Sequence, residues 1–147
     1  MANLYSQYTY DASLLLKAAA AVGASADGTI ILDVGSGLVC GDMVIDVTAL
    51  DTGNNDESNT IILEGSNSAT FGTAADIWPL ANITIGDHAS TCQALLQQGA
   101  DDAVGRYVVP FRNERNGSLY RYLRIRTQIA GTNAGITYSA FLAICND

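Results

Sequence analysis

Between Ser118 and Ile144 the chain reads SLYRYLRIRTQIAGTNAGITYSAFLAI, and its period is two. From Leu119 to Ile129 the odd positions are Leu119, Arg121, Leu123, Ile125, Thr127 and Ile129. The even positions are Tyr120, Tyr122, Arg124, Arg126 and Gln128. Successive strand side chains point to opposite faces, so the segment has an aliphatic face and a tyrosine–arginine face. A helix would need apolar residues at three- and four-residue steps. Arg121 breaks the aliphatic face near the strand's start, where its head reaches water and its stem lies on apolar neighbours. Ala130 to Gly135 is rich in turn formers, and Ile136, Tyr138, Ala140, Leu142 and Ile144 resume the alternation. Two such runs joined by a short glycine-containing loop predict a β-hairpin.

Other short runs carry the same signature. Thr29–Val34 (TIILDV), Met43–Leu50 (MVIDVTAL), Thr60–Glu64 (TIILE), Asn82–Ile85 (NITI) and Gly105–Phe111 (GRYVVPF) read as strands, the last as a strand or edge strand. Met43, Ile45, Val47 and Ala49 share one side of theirs. Pro79, in Ile77-Trp78-Pro79-Leu80, would break a central strand. Asn116-Gly117 is a strong tight-turn signal, and Asp51–Asn59 (DTGNNDESN) reads as the tip of a hairpin. One helical turn is expected around Gln93–Gln98. Seven or eight short strands without long helices predict an all-β, antiparallel β-sandwich, with jelly-roll topology as its expected form.

The start of the chain is less regular. MANLYSQYTY places Tyr5, Tyr8 and Tyr10 among small polar residues without charge, a composition suited to an arm lying on a partner. Ser13–Val22 favours one short helix stopped by Gly23, with an extended connection as the competing reading. LLLKAAAAVGASA resembles a secretion signal, yet it lacks a cationic leader, carries Lys17 and follows Asp11, so it is not read as one. The expected organisation is an N-terminal arm and connection over 1–26, a single β-sandwich domain over 27–147, and at most one or two short helices.

Charge narrows the choice of partner. The 147 residues carry a formal net charge of −8, which disfavours nucleic acid, since phosphate binding needs a basic surface. All six arginines lie between Arg106 and Arg126, and thirteen carboxylates precede Arg106 against the single Lys17. Such a division suits docking onto an acidic neighbour, while pairing of at least half the arginines within the fold is the competing expectation. Charged residues make up only 15% of the chain, so an extended protein contact would desolvate few charges.

No catalytic, cofactor or metal constellation emerges. Cys40, Cys92 and Cys145 are odd in number and lack CxxC spacing, so buried free thiols are expected. Gly35, Gly37 and Gly41 miss the dinucleotide spacing, with no helix pattern after them. Gly53 falls too early for a calcium loop. Asn82-Ile83-Thr84 matches a glycosylation acceptor that would need a secretory route. His88 stands alone and reads as a surface residue. No run is long enough to cross a membrane.

Gly105-Arg106-Tyr107-Val108-Val109, Arg121-Tyr122-Leu123-Arg124-Ile125, Gly135 and Ser139-Ala140-Phe141-Leu142 together resemble the jelly-roll capsid cement (decoration) proteins of tailed bacteriophages. The likeness covers about the last third of the chain well, and Met43–Glu64 loosely. The alanine-rich Asp11–Ala26 departs from the family's pattern. The resemblance implies a non-enzymatic virion protein, made in the host cytoplasm, on the outer capsid surface. It further implies bridging of neighbouring major capsid protein subunits and a homo-oligomer, dimer or trimer, at symmetry axes or capsomer junctions. Partner-binding residues on this reading are Tyr5, Tyr8, Tyr10, Arg106, Tyr120, Tyr122, Arg124 and Arg126, with no cofactor. The alternative is a carbohydrate-binding or receptor-binding β-sandwich module, for which Trp78 and surface tyrosines would supply stacking.

Overall fold

The computed structural model describes residues 10–54, 56–86 and 103–144. Its strands are β1 (Leu15–Val22), β2 (Ala26–Asp27), β3 (Leu32–Asp33), β4 (Cys40–Leu50), β5 (Ser58–Ser66), β6 (Trp78–Ile85), β7 (Gly105–Arg112), β8 (Glu114–Arg115), β9 (Ser118–Leu119), β10 (Tyr122–Ala130) and β11 (Ile136–Ile144). One sheet has the order β1-β11-β4-β7; the other has the order β2-β10-β5-β6, with β3 also on β10. Every pairing is antiparallel. If β2 and β3 are counted as one interrupted strand and the small β8–β9 hairpin is set aside, the sheets run 1-8-3-6 and 2-7-4-5. That interleaving of two Greek keys is a jelly roll. The only helical elements among the described residues are two single 3-10 turns, Ala12–Leu14 and Ala74–Asp76.

The two sheets meet on the side chains that alternation points inward. Met43, Ile45 and Val47 of β4 face Ile61 and Leu63 of β5, with Leu123 and Ile125 of β10 and Ile136, Tyr138, Ala140 and Leu142 of β11 completing the core. Each fully buried aliphatic side chain contributes about 1.5–3 kcal/mol relative to exposure. Pro79 lies in β6, an edge strand, at a register shift opposite Glu64, where its missing N–H interrupts no central ladder. Asn116 and Gly117 both adopt positive φ, 52° and 80°, in the expected tight turn between β8 and β9.

The expected hairpin between 119–129 and 136–144 does not form. β10 and β11 have the inward faces read from the alternation, but they lie in opposite sheets. Residues 131–135 are an arch across the sandwich, and the chain crosses again between β4 and β5, so 51–57 is a second arch rather than a hairpin tip. The arches brace each other. Asp56 accepts from the Thr132 N–H and hydroxyl, both at 2.9 Å, and Asn54 Nδ2 donates to the Thr132 carbonyl at 2.8 Å. Alternation marks which side chains point inward; it carries no information on whether two inward faces lie side by side or opposite each other.

Other expectations need correction. Ser13–Val22 is not one short helix: Ser13 and Leu14 finish a single 3-10 turn, and residues 15–22 are extended, as in the competing reading, but as a strand paired with β11 rather than a connection. Completing the sheet edge outweighs the helix preference of four alanines, which is a weak local term. The sandwich therefore begins at Leu15, ahead of the expected boundary at 26/27. Thr29–Val34 contributes only the two-residue β3. Leu119 belongs to the β8–β9 hairpin, and the long strand starts at Tyr122. Cys40 is exposed rather than buried. The helical turn expected at Gln93–Gln98, together with His88, Cys92, Cys145, Tyr5 and Tyr8, lies outside the described residues.

Candidate interaction surface

The outer face of the β10 sheet is an ionic network closed on itself. Arg124 Nε lies 2.8 Å from Glu64 Oε2, and its Nη2 lies 3.2 Å from Asp27 Oδ2. The Phe71 ring sits over the guanidinium at 4.4 Å. With 8% of its surface exposed, Arg124 holds the strand to its neighbours and is not available to anchor a partner. Arg126, half-exposed, shares Asp27 at 3.5 Å. Just before β10, Arg121 makes a two-pronged pair with Asp33 at 2.8 and 2.6 Å. That pairing, helped by the Gly35 N–H, holds the Asp33 carboxyl down at about 2. The Arg121 guanidinium also lies over the Tyr122 ring at 5.3 Å.

Four of the six arginines thus pair with carboxylates of the same chain: Arg106, Arg121, Arg124 and Arg126. The competing expectation of internal pairing describes this face. Tyr120 is also buried, at 8% exposure, packed where a side chain on Gly65 would collide with its Cβ. Tyr120 and Arg124, both of the expected partner-binding set, are thus largely buried within the chain.

The outer face of the other sheet is different. Register aligns Leu15 of β1, Phe141 of β11, Val44 of β4 and Val108 of β7 in one row across all four strands. Phe141 and Val44 are 2% and 0% exposed although both lie outside the central core, while Val108 is open to solvent. Tyr10 lies on Phe141 edge-to-face, with ring centroids 5.5 Å apart. Arg106 reaches over the same ring at 6.0 Å while making a two-pronged pair with Asp46, at 2.6 and 2.8 Å. Two expected contact residues, Tyr10 and Arg106, therefore meet at Phe141.

The row itself was not anticipated, although a signal existed. Met43-Val44-Ile45 and Ala140-Phe141-Leu142 are unbroken apolar triplets inside otherwise alternating strands, the mark of a strand covered on both faces. Among the described residues no group of three His, Cys, Asp or Glu side chains could hold a metal ion. No described helix is long and apolar enough to cross a membrane. No protein-family model and no curated protein matches the chain.

Proposed function

We propose that this protein is a capsid cement protein of a tailed bacteriophage, which binds the outside of the shell through the Leu15–Phe141–Val44–Val108 face and bridges neighbouring major capsid subunits. The observation that carries the reading is that apolar row, buried at Phe141 and Val44, with Tyr10 edge-on to Phe141, and exposed at its Val108 end. An outer sheet face in water is ordinarily polar, so an apolar row rimmed by one tyrosine and one arginine fits a protein contact. The resemblance at 105–109, 121–125 and 139–142 supports the capsid as that partner, and β7 and β11 contribute residues to both the resemblance and the row. A dimer or trimer touching several shell subunits gains avidity from contacts that are individually weak. Binding only the assembled shell stabilises it by mass action.

The test is co-sedimentation with heads assembled from the major capsid protein of the same phage. Val108→Glu puts a carboxylate into the open end of the row without touching the core. Wild-type folding with lost co-sedimentation is the expected result. Wild-type co-sedimentation of a Val108→Glu, Tyr10→Ala double variant removes this face from the contact, and no co-sedimentation of the unaltered protein removes the capsid reading.

A further inference from the structure

At the opposite end of the sandwich from the two arches, the loop between β5 and β6 and the β8–β9 hairpin flank a cavity of about 440 Å³, open to solvent on one side and lined by Asn67, Ser68, Asp76, Trp78, Ser118 and Tyr120. Its size falls within the range of small-molecule sites. The frame is fixed by bonds internal to the chain. Asn67 donates from Nδ2 to the Leu119 carbonyl at 2.9 Å and accepts the Arg121 N–H at 3.1 Å, which fixes its amide as a wall. Asn113, wholly buried, donates to the carbonyls of Gly37 and Tyr120 and accepts the Val39 N–H, so the hairpin's base cannot drift. Arg115 donates to the Pro79 carbonyl at 2.7 Å with its guanidinium 5.2 Å from the Trp78 ring centroid, which locks the indole's orientation.

Inside this frame several groups remain unspent. Among the described residues none bonds the Asp76 carboxylate or the hydroxyls of Ser118 and Tyr120. Trp78, the only tryptophan of the chain, is 40% exposed at the cavity. A carboxylate that accepts, two hydroxyls that both donate and accept, and an indole face make a set suited to one ligand chemistry. The negative face of an aromatic ring attracts the polarised C–H groups on the flat side of a pyranose, and vicinal hydroxyls pair with a carboxylate. We propose that this cavity is a binding site for a neutral saccharide, with Trp78 stacking on the sugar ring, Asp76 accepting from two of its hydroxyls, and Ser118 and Tyr120 completing the hydrogen bonds. The Asp76 charge and the net charge of −8 select against acidic sugars. The site belongs to the sheet that does not carry the apolar row, so a glycan and a shell subunit would be bound on separate surfaces.

A single tryptophan makes the fluorescence of the intact protein a reporter of this one site. Titration with maltohexaose, cellohexaose, chitohexaose and a mannan oligosaccharide is expected to give a saturable change in Trp78 emission with at least one of them. Asp76→Asn is expected to weaken that affinity by about tenfold, the loss of a charged hydrogen bond, with unchanged melting temperature. Trp78→Ala, followed by calorimetry in place of fluorescence, is expected to abolish binding. A flat response to all four sugars at millimolar concentration overturns the proposal, and so does a saturable response that Asp76→Asn and Ser118→Ala leave unchanged. Shell co-sedimentation by an Asp76→Asn variant at wild-type level separates the fate of this site from that of the capsid reading.

Discussion

Thr127 and Tyr138 join hydroxyls across the interior, Thr127 from β10 in one sheet and Tyr138 from β11 in the other, 2.5 Å apart. Both are buried, at 3% and 0% exposure, so the bond is a polar tie between layers otherwise held by apolar contact. Removing one partner leaves the other hydroxyl dry and unpaired, at a cost of about 1–3 kcal/mol. Tyr138→Phe and Thr127→Val are each expected to lose that much in urea denaturation. The double variant should lose clearly less than the sum of the two. Additive losses would mean that the hydroxyls do not act as a pair.

The same phenol makes stability depend on pH at the alkaline end. Burial pushes Tyr138 up to about 12, against an opposing pull from its bond to Thr127. An unfolded tyrosine ionises near 10, so between about 10 and 12 the unfolded chain binds fewer protons than the folded one. The stabilisation is therefore complete below pH 10 and is lost as the pH rises to 12, by roughly 2–3 kcal/mol. Lys17 lies over the Tyr138 ring at 4.6 Å, and its own value, lowered by burial, acts in the opposite sense below 10.5. The difference between wild type and Tyr138→Phe isolates the phenol. It should shrink steadily across that window, and a pH-independent difference would rule out the tyrosine as its source.

Arg124 and Arg126 are two residues apart on the same face and should behave differently. Arg124→Ala strands the nearly buried Glu64 carboxylate, so a loss of about 3–5 kcal/mol is expected. Arg126→Ala removes a half-exposed pair with Asp27, worth about 0–1 kcal/mol. Equal losses in a denaturant titration would contradict the closed network. Salt separates them too, since only the exposed pair is open to screening.

Gly131 turns the arch between β10 and β11 with φ 110°, and a Cβ there would lie 2.5 Å from the Asp56 carbonyl oxygen of the neighbouring arch. Gly131→Ala meets backbone on one side and an unfavourable dihedral on the other, so a loss of about 2 kcal/mol or more is expected. Gly23→Ala is the control, because a Cβ there meets nothing within 4 Å. Melting temperatures of the two variants decide the matter; indistinguishable values would mean that the arches yield freely.

These positions also explain what a linear reading reaches. Leu123, Ile125, Tyr138 and Leu142 were legible as inward residues because alternation is a local property, and the sandwich follows from their number. The partner of each strand was not legible. A five-residue connection such as 131–135 serves a hairpin or an arch equally, and its anchors, Asp56 and Asn54, lie far away in the chain. β1 was obscured because alanine's helix preference is visible in sequence, whereas the open edge of β11 that recruits it is not. On the candidate surface, counting arginines on one face suggested a docking patch; the acids that neutralise them, Asp27, Asp33 and Glu64, come from three other strands. The cavity proposed for a saccharide draws on the segments that precede β6 and β10 and has no linear motif.

Tyr10 offers the sharpest separation between folding and attachment. Its ring is 55% exposed and touches Phe141 edge-on, a contact worth about 0.5–1.5 kcal/mol beyond area burial. Tyr10→Ala should therefore lower stability only slightly. If the residues before it lie on a shell subunit along the same face, co-sedimentation should fall by far more than that small loss accounts for, and deletion of residues 1–10 should lower it further. Tyr10→Phe keeps the edge contact and should retain most of the binding, because the outward rim of the ring is still large and apolar. Binding that follows stability in all three variants would mean that Tyr10 merely covers Phe141, and the tyrosine-bearing start would have no part in holding the shell.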